Sequence, residues 1–350
     1  MKDAIPTPPP VYSIRHAYRH HAGPSGYHRL GEWIGEPVRL SAPMYWLGET
    51  LLRVPAKLVS WYGGHFEYSR HDFVMEAQTL MHMRRHREAI YHFLYAEKSF
   101  KLLAHARGLN GHRMAGTFHH PQEHYSWLFR STAHLRALDH AIVVSTQQVP
   151  FMETLVGPGR VTFIPHGIDT AYFTPADAPR ADRPLRCLFA GSHLRDIARL
   201  PAVIEGVLEA VPAAEFLLIS YDRRCEGMTR PGKVHWRRAV PDHEYLELIR
   251  QADLLVLPLI ASTAVNTVLE ALACGVPVVT NRGGVADYLD PACGIMAEPG
   301  DVRGMISATV ELLRDDAQRR RMGQAARDKA MQFSWPRIAE KMNTLYARLS

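Results

Sequence analysis

The feature that most constrains this chain is an alternation of two periods. Short apolar runs rich in β-branched and aromatic residues take turns with longer segments of helical period. In the first half the strand candidates are VYSIRHA (11–17), AIYHFLYA (89–96), RMAGTFHH (113–120), HAIVVS (140–145) and RVTFIP (160–165). Between and before them, helical patterns cover 43–60, 73–87, 97–107, 121–138 and 147–155. The stretch 166–184, HGIDTAYFTPADAPRADRP, has no period and is rich in Pro, Asp and Ala, so it reads as a linker. After it the alternation restarts, with strands at 185–192, 214–220, 233–238, 252–260, 276–280 and 294–298. Helices are expected at 196–211, 241–251, 263–274, 301–314, 316–333 and 335–349. Strands alternating with helices imply a mostly parallel sheet covered on both faces. Two such series in 350 residues imply two successive α/β domains.

Composition narrows the function classes. At 47% hydrophobic and 22% charged, the chain is globular in character. The four cysteines, Cys187, Cys225, Cys274 and Cys293, form no CxxC pair, which argues against a disulfide scaffold or a zinc ribbon and fits a reducing cytosol. No apolar run reaches membrane-span length, and MKDAIPTPPP lacks the apolar core of a signal peptide. These features predict a cytoplasmic protein with a disordered leader over 1–10. The formal charge of +6 suits anionic ligands such as nucleotides or a membrane surface, and is too small to argue for nucleic acid. Seventeen of the 20 histidines fall between His16 and His166, so the two halves differ in character.

The segment TAVNTVLEALACG (263–275) carries most of the chemistry. Ser262 or Thr263 is suited to cap the helix, and Gly275 with Pro277 to end it. Thr263, Asn266, Thr267 and Glu270 recur every three or four residues and share one face. A helix N-terminus offers amides to a phosphate, and a carboxylate roughly 6–9 Å further along can accept from two vicinal hydroxyls, as a ribose presents. The same pattern also describes an amphipathic helix with one solvated Glu.

LEALACGVPVVT followed by NRGGVADYL resembles the donor-site signature of GT-B glycosyltransferases, especially the retaining family 4-like (group 1) enzymes. FIPHGIDTAYFTP (163–175), LRCLFAGSHLRD and FSWPRIAEKMNTLYARL (333–349) agree with that family in content and order, so the resemblance covers about 140–350. It implies two Rossmann-like domains facing a cleft, with the last helix crossing back. The first domain would be 11–167 plus 335–350 and the second 168–334. It implies transfer of a sugar from a nucleotide-diphosphate sugar to a saccharide or lipid-linked acceptor, with retention. No cofactor or metal is expected, and peripheral membrane contact is allowed.

Carried onto this chain, the resemblance gives Glu270 to the donor ribose and places Asn266 and Thr267 near the sugar and diphosphate. Gly191 and Ser192 fall in the first donor-domain loop, and Gly283, Gly284 and Val285 form a second glycine turn whose amides can meet phosphate. The family's Arg and Lys of the first loop are replaced by Ser192 and Ile197, so Arg195, then Arg199, is the nearest diphosphate clamp. An acid usually stands eight residues before Glu270; here it is Ser262. One of His119 and His120, with His119 preferred, would meet the donor sugar. A metal site on His119, His120 and Glu123 is disfavoured, because adjacent strand residues point oppositely. Gly23, Ser25 and Gly26 match the glycine loop on the acceptor side, and His166 would fix the hinge. Two rivals stand beside transfer: a nucleotide-sugar epimerase on the same fold, and a degenerate homologue that only binds nucleotide.

Overall fold

A computed structural model describes residues 9–15, 23–51, 54–55, 57–58, 68–176 and 183–349. The chain divides into two compact units. The first holds Met1–His20, Tyr27–His166 and Pro336–Ser350; the second holds His21–Gly26 and Gly167–Trp335.

The first unit is built on a six-stranded parallel sheet of β1 (Val11–Ile14), β2 (Glu36–Pro37), β3 (Ile90–Phe93), β4 (Arg113–Phe118), β5 (His140–Val143) and β6 (Val161–Phe163), in the order β2-β1-β3-β4-β5-β6. Residues of β3 and β5 are buried throughout, as strands covered on both faces must be. The helix Arg70–Arg85 starts from a capping box in which the Ser69 hydroxyl accepts from the Asp72 amide and Asp72 answers the Ser69 N–H. Buried Glu76 on this helix accepts from the amides of Lys101, Leu102 and Leu103 at 2.7–3.0 Å, which fixes the segment after β3.

The expected helix over 121–138 does not form. Only short turns appear, at Gln122–His124, Tyr125–Leu128 and Ala133–Ala137. The run has no continuous apolar stripe: Tyr125, Leu128, Phe129 and Leu135 are buried in the first core, but from turns rather than from one helical face. The 97–107 segment likewise breaks into Ala96–Ser99 and the 3₁₀ turn Leu102–Ala106. The helix expected over 43–60 is seen as Ala42–Glu49, and part of its remainder lies outside the described residues.

The second unit has a second six-stranded parallel sheet: β7 (Arg186–Ala190), β8 (Glu215–Ile219), β9 (Val234–Arg237), β10 (Leu254–Leu257), β11 (Val278–Asn281) and β12 (Gly294–Ala297), in the order β12-β11-β10-β7-β8-β9. From β7 the chain first builds outward through β8 and β9, then returns to lay β10 on the other side of β7. The gap between β7 and β10 is therefore the topological switch point, where loops on the carboxyl side diverge and leave a crevice. Its helices include Leu200–Ala210, Asp242–Arg250, Asn266–Ala273, Val302–Arg314 and Asp316–Met331. A last helix, Trp335–Leu349, lies almost wholly in the first unit, where the Tyr346 hydroxyl sits 2.6 Å from His92 Nδ1.

The stretch read as a linker is not one up to residue 176; residues 177–182 lie outside the described set. Ile168 and Phe173 are buried in the second core, and the Ile168 amide donates to Phe333 O at 2.9 Å. Arg327 donates to the carbonyls of Thr170, Phe173 and Ala273, and Arg250 to that of Thr174. Low periodicity reads as freedom in the sequence, yet two arginines satisfy the backbone that a strand or helix would otherwise satisfy. The four cysteines are free and buried.

Candidate functional site

In the second unit, three loops leave the carboxyl ends of neighbouring parallel strands. Gly191–Ile197 follows β7, 258–265 follows β10 and 282–285 follows β11. The first two are stitched together. The Asp196 amide donates to Pro258 O at 2.9 Å, and the Ile260 amide to Leu194 O at 3.0 Å. Leu194 is held at φ +57, an unusual conformation for a leucine, of the kind that gathers at ligand-binding loops.

This stitching delivers Arg195 to the helix Asn266–Ala273. Its Nη2 donates to Thr267 Oγ1 at 3.3 Å, while Nε and Nη1 donate to the carbonyls of Ala190 and His193 at 3.0 Å each. Gly191 makes room for the guanidinium: it takes φ +97, and a Cβ there would lie 2.8 Å from Arg195 Nη2. Burial lowers the Arg195 pKa to about 10, opposed by Tyr245 and Glu270, so it stays charged at neutral pH. The neighbouring acid, Asp196, pairs with Arg199 at 2.7 Å. Arg199, the second choice of clamp, is thereby engaged and exposed.

Glu270 is 3% exposed, which removes the reading of a solvated helix face. Both its oxygens accept from hydroxyls. The Ser25 Oγ–H donates to Oε1 at 2.5 Å and the Tyr245 O–H to Oε2 at 2.8 Å. Tyr245 also bonds Thr267, so Ser25, Glu270, Tyr245, Thr267 and Arg195 form one chain of hydrogen bonds. Burial raises the Glu270 pKa, while the two hydroxyls and the Arg195 charge pull it back. Ser25 belongs to the Gly23–Gly26 segment, whose Gly23 amide donates to Asp242 Oδ2 at 2.7 Å and whose Gly26 has φ +107.

Several expectations are corrected. The helix begins at Asn266 behind Val265, and neither Ser262 nor Thr263 caps it. Ser262 turns instead to the second glycine turn, accepting from the Gly284 amide on its carbonyl and from the Val285 amide on its Oγ, both at 3.1 Å. Those two amides, expected to meet phosphate, are thus already used. The Gly191 amide is also used, donating to Ile219 O at 2.9 Å. Ser192 Oγ binds the Ser220 hydroxyl at 2.9 Å and accepts from the Tyr221 amide at 3.0 Å. Ile197 is core. The helix's first residues, half-buried Asn266 and buried Thr267, have amides that precede any intrahelical acceptor.

In the first unit, β3 and β4 are parallel neighbours, so Glu97 and His119 emerge side by side after them. Glu97 Oε1 accepts from the His119 backbone N–H and lies 3.0 Å from its Nδ1. Burial pushes the Glu97 carboxyl up, but the His119 charge and hydrogen bond outweigh it and leave the group below its usual range. An ionised carboxylate only accepts, so the proton on this side sits on His119 Nδ1. The ring stacks on Tyr95 and meets Tyr27 edge-on, and His166 packs against the same Tyr27. His120 turns away to His124, with their Nδ1 atoms 3.4 Å apart.

Tyr245 and Glu97 are functional candidates that sequence reasoning does not reach. Tyr245 sits among the apolar positions of Asp242–Arg250, where an aromatic reads as core; Glu97, in AEKS, reads as a solvated helix residue. Neither carries a motif.

Residues 185–315 match the family described as Glycosyl transferases group 1. Glycogen synthase of Mycobacterium tuberculosis is 27% identical over 235 residues, which cover 63% of this chain and 55% of that protein. The chain spans about half the length of most of the curated relatives it matches. Sucrose-phosphate synthase from Thermosynechococcus elongatus is similar in structure, with TM-score 0.72, 21% identity, and coverage of 97% of this chain and 99% of that one. HepE of Anabaena, solved in complex with UDP, gives TM-score 0.66 at 13% identity, covering 97% of this chain and 100% of that one. The fold is thus the two-domain α/β fold of GT-B enzymes, and within it residues 185–315 are similar to the group 1 glycosyltransferases.

Proposed function

We propose that the chain transfers a sugar from a nucleoside-diphosphate sugar to an acceptor hydroxyl, with retention. The observation that carries this is Glu270: a buried carboxylate one turn inside a helix, accepting hydroxyl hydrogen bonds on both oxygens, beside an arginine held at the helix start. That is a seat for a ribose diol with a diphosphate next to it. The match to group 1 glycosyltransferases and the UDP held by HepE support the reading.

In the step itself, the bond from the anomeric carbon to the diphosphate oxygen breaks and a bond to the acceptor oxygen forms on the same face. The acceptor proton passes to the departing diphosphate. Arg195 and the amides of Asn266 and Thr267 stabilise the charge that develops there. Supplying that charge from fixed groups needs no metal, so transfer is expected to persist in chelator. His119, held by Glu97, would hydrogen-bond a sugar hydroxyl.

The acceptor is proposed to be a saccharide or lipid-linked glycan at the inner face of a membrane. Trp46, Leu51 and Val54 are each at least 65% exposed near the helix Ala42–Glu49, and the chain is basic. Among the described residues no helix is long and apolar enough to cross a membrane.

A thermal-shift screen of nucleoside diphosphates and their sugars, followed by transfer assays on the best donor, tests the proposal. Glu270→Ala should weaken the preferred nucleotide; equal binding would remove the ribose assignment. Donor incubated alone should yield no epimer. Nucleotide binding without transfer to any of a broad set of acceptors would leave a binding protein in place of an enzyme.

A further inference from the structure

We propose that Ser25 is an intramolecular competitor of the donor ribose, and that displacing it frees the Gly23–Gly26 segment. This rests on the reading of Glu270 as the ribose ligand. With the carboxylate 3% exposed, a ribose cannot reach it while both protein hydroxyls stay in place.

The two hydroxyls are not held equally. Tyr245 stands on the helix Asp242–Arg250 and has a second partner in Thr267. Ser25 lies in a short segment between glycines, tied to the rest of the second unit through its own hydroxyl and through the Gly23 amide on Asp242. Ser25 is therefore the one to yield. An arriving diol takes Oε1 from Ser25 and shares Oε2 with Tyr245, whose hydroxyl stays to orient the carboxylate. A carboxylate has about four acceptor positions, enough for that arrangement. Nucleotide binding then releases one of the segment's two anchors, so the glycine segment would respond to the nucleotide.

An internal competitor lowers apparent affinity by the fraction of molecules in the competing state. Removing it should tighten binding. Calorimetric titration of wild type, Ser25→Ala and Ser25→Gly with UDP, GDP and ADP, and with the 2′-deoxy form of the best binder, tests this. Both variants should bind the ribonucleotide roughly tenfold to 150-fold more tightly, the span of one hydrogen bond to a charged group. The gain should shrink for the 2′-deoxy form. Equal or weaker binding in both variants overturns the proposal while leaving the ribose assignment intact, provided Glu270→Ala still loses affinity. If Glu270→Ala binds as wild type does, the ribose assignment itself fails. Hydrogen exchange on the unmodified chain gives a reading independent of the variants: the Gly23 and Ser25 amides should exchange faster when nucleotide saturates the site, and unchanged or slower exchange overturns the release.

Discussion

Gly191→Ala separates what the first donor-domain loop does for stability from what it does for the ligand. Gly191 has φ +97, and a methyl there would meet Arg195 Nη2, Nε and Cζ at 2.8, 3.1 and 3.2 Å. Holding an L-residue at positive φ costs about 1–2 kcal/mol, and Ala returns about 0.4–1 kcal/mol by stiffening the unfolded chain. The guanidinium must then move by several tenths of an ångström, which breaks its 3.3 Å bond to Thr267. A hydrogen bond to a charged group is worth about 1.5–3 kcal/mol. The sum is a loss of about 2–4 kcal/mol. Gly232→Ala is the control, because Gly232 in the same unit has φ +70 and nothing within 4 Å of its would-be Cβ. It should show only the backbone part, about 1 kcal/mol. Urea unfolding of both variants measures the difference, and calorimetry with the preferred nucleoside diphosphate measures the ligand side. Gly191→Ala should lose affinity about tenfold or more, and Gly232→Ala should not. If the two variants lose the same stability and both bind as wild type, then Gly191 does not serve Arg195, and Arg195 does not serve the diphosphate.

Glu76 should make stability depend on pH. Burial raises its carboxyl to about 7 from 4.5 despite three backbone donors and Tyr68, so the folded state keeps a proton that the unfolded chain loses. Its contribution is fully present below pH 4.5 and is lost as pH rises through 7, about 3 kcal/mol in all at 1.36 kcal/mol per unit; Glu76→Gln should flatten that slope in denaturant midpoints taken across the window. His92 runs the other way. Burial holds it near 3 between Tyr346 and Thr117, so stability should fall as pH drops below 6.5, and His92→Gln should remove that fall. Ser262→Ala strips the acceptor from the buried Val285 amide and should cost about 1–3 kcal/mol in the same measurement. Ser262→Glu should destabilise by at least as much, since a Cβ built on Gly283 already falls 2.6 Å from Ser262 Oγ; wild-type stability would show that the acid position is open.

The fold was legible because it rests on period. Strands such as Leu254–Leu257 and Ile90–Phe93 are continuous apolar runs between helices, and no other arrangement buries them on both faces. The segments that departed from expectation are those whose structure is set by distant partners. The 121–138 run contains helix formers and a leading proline, yet it forms only turns, from which its apolar residues pack into the first core. The 167–176 segment looks free in the sequence because Arg250 and Arg327, which bind its carbonyls, lie 76 and more than 150 positions away. The helix cap falls elsewhere for a related reason. Ser262 has the chemistry of a cap, but the loop it sits in is committed to the turn at 283–285.

Glu270 and Ser262 make the clearest contrast between the two kinds of information. The position of Glu270 one turn into its helix follows from spacing, and its burial follows from the apolar residues around it. The hydroxyls that hold it, Ser25 and Tyr245, lie 245 and 25 positions away and are invisible to any local pattern. Ser262 stands where the family usually has an acid, and its geometry shows what it does there instead. It closes the loop after β10 onto the loop after β11, so the crevice is shaped there by a short hydroxyl rather than lined by a carboxylate. A sugar bound beside Glu270 would then meet one acid from this helix region instead of two. On the proposed reading, selectivity among sugars must then come from groups other than an acid at position 262.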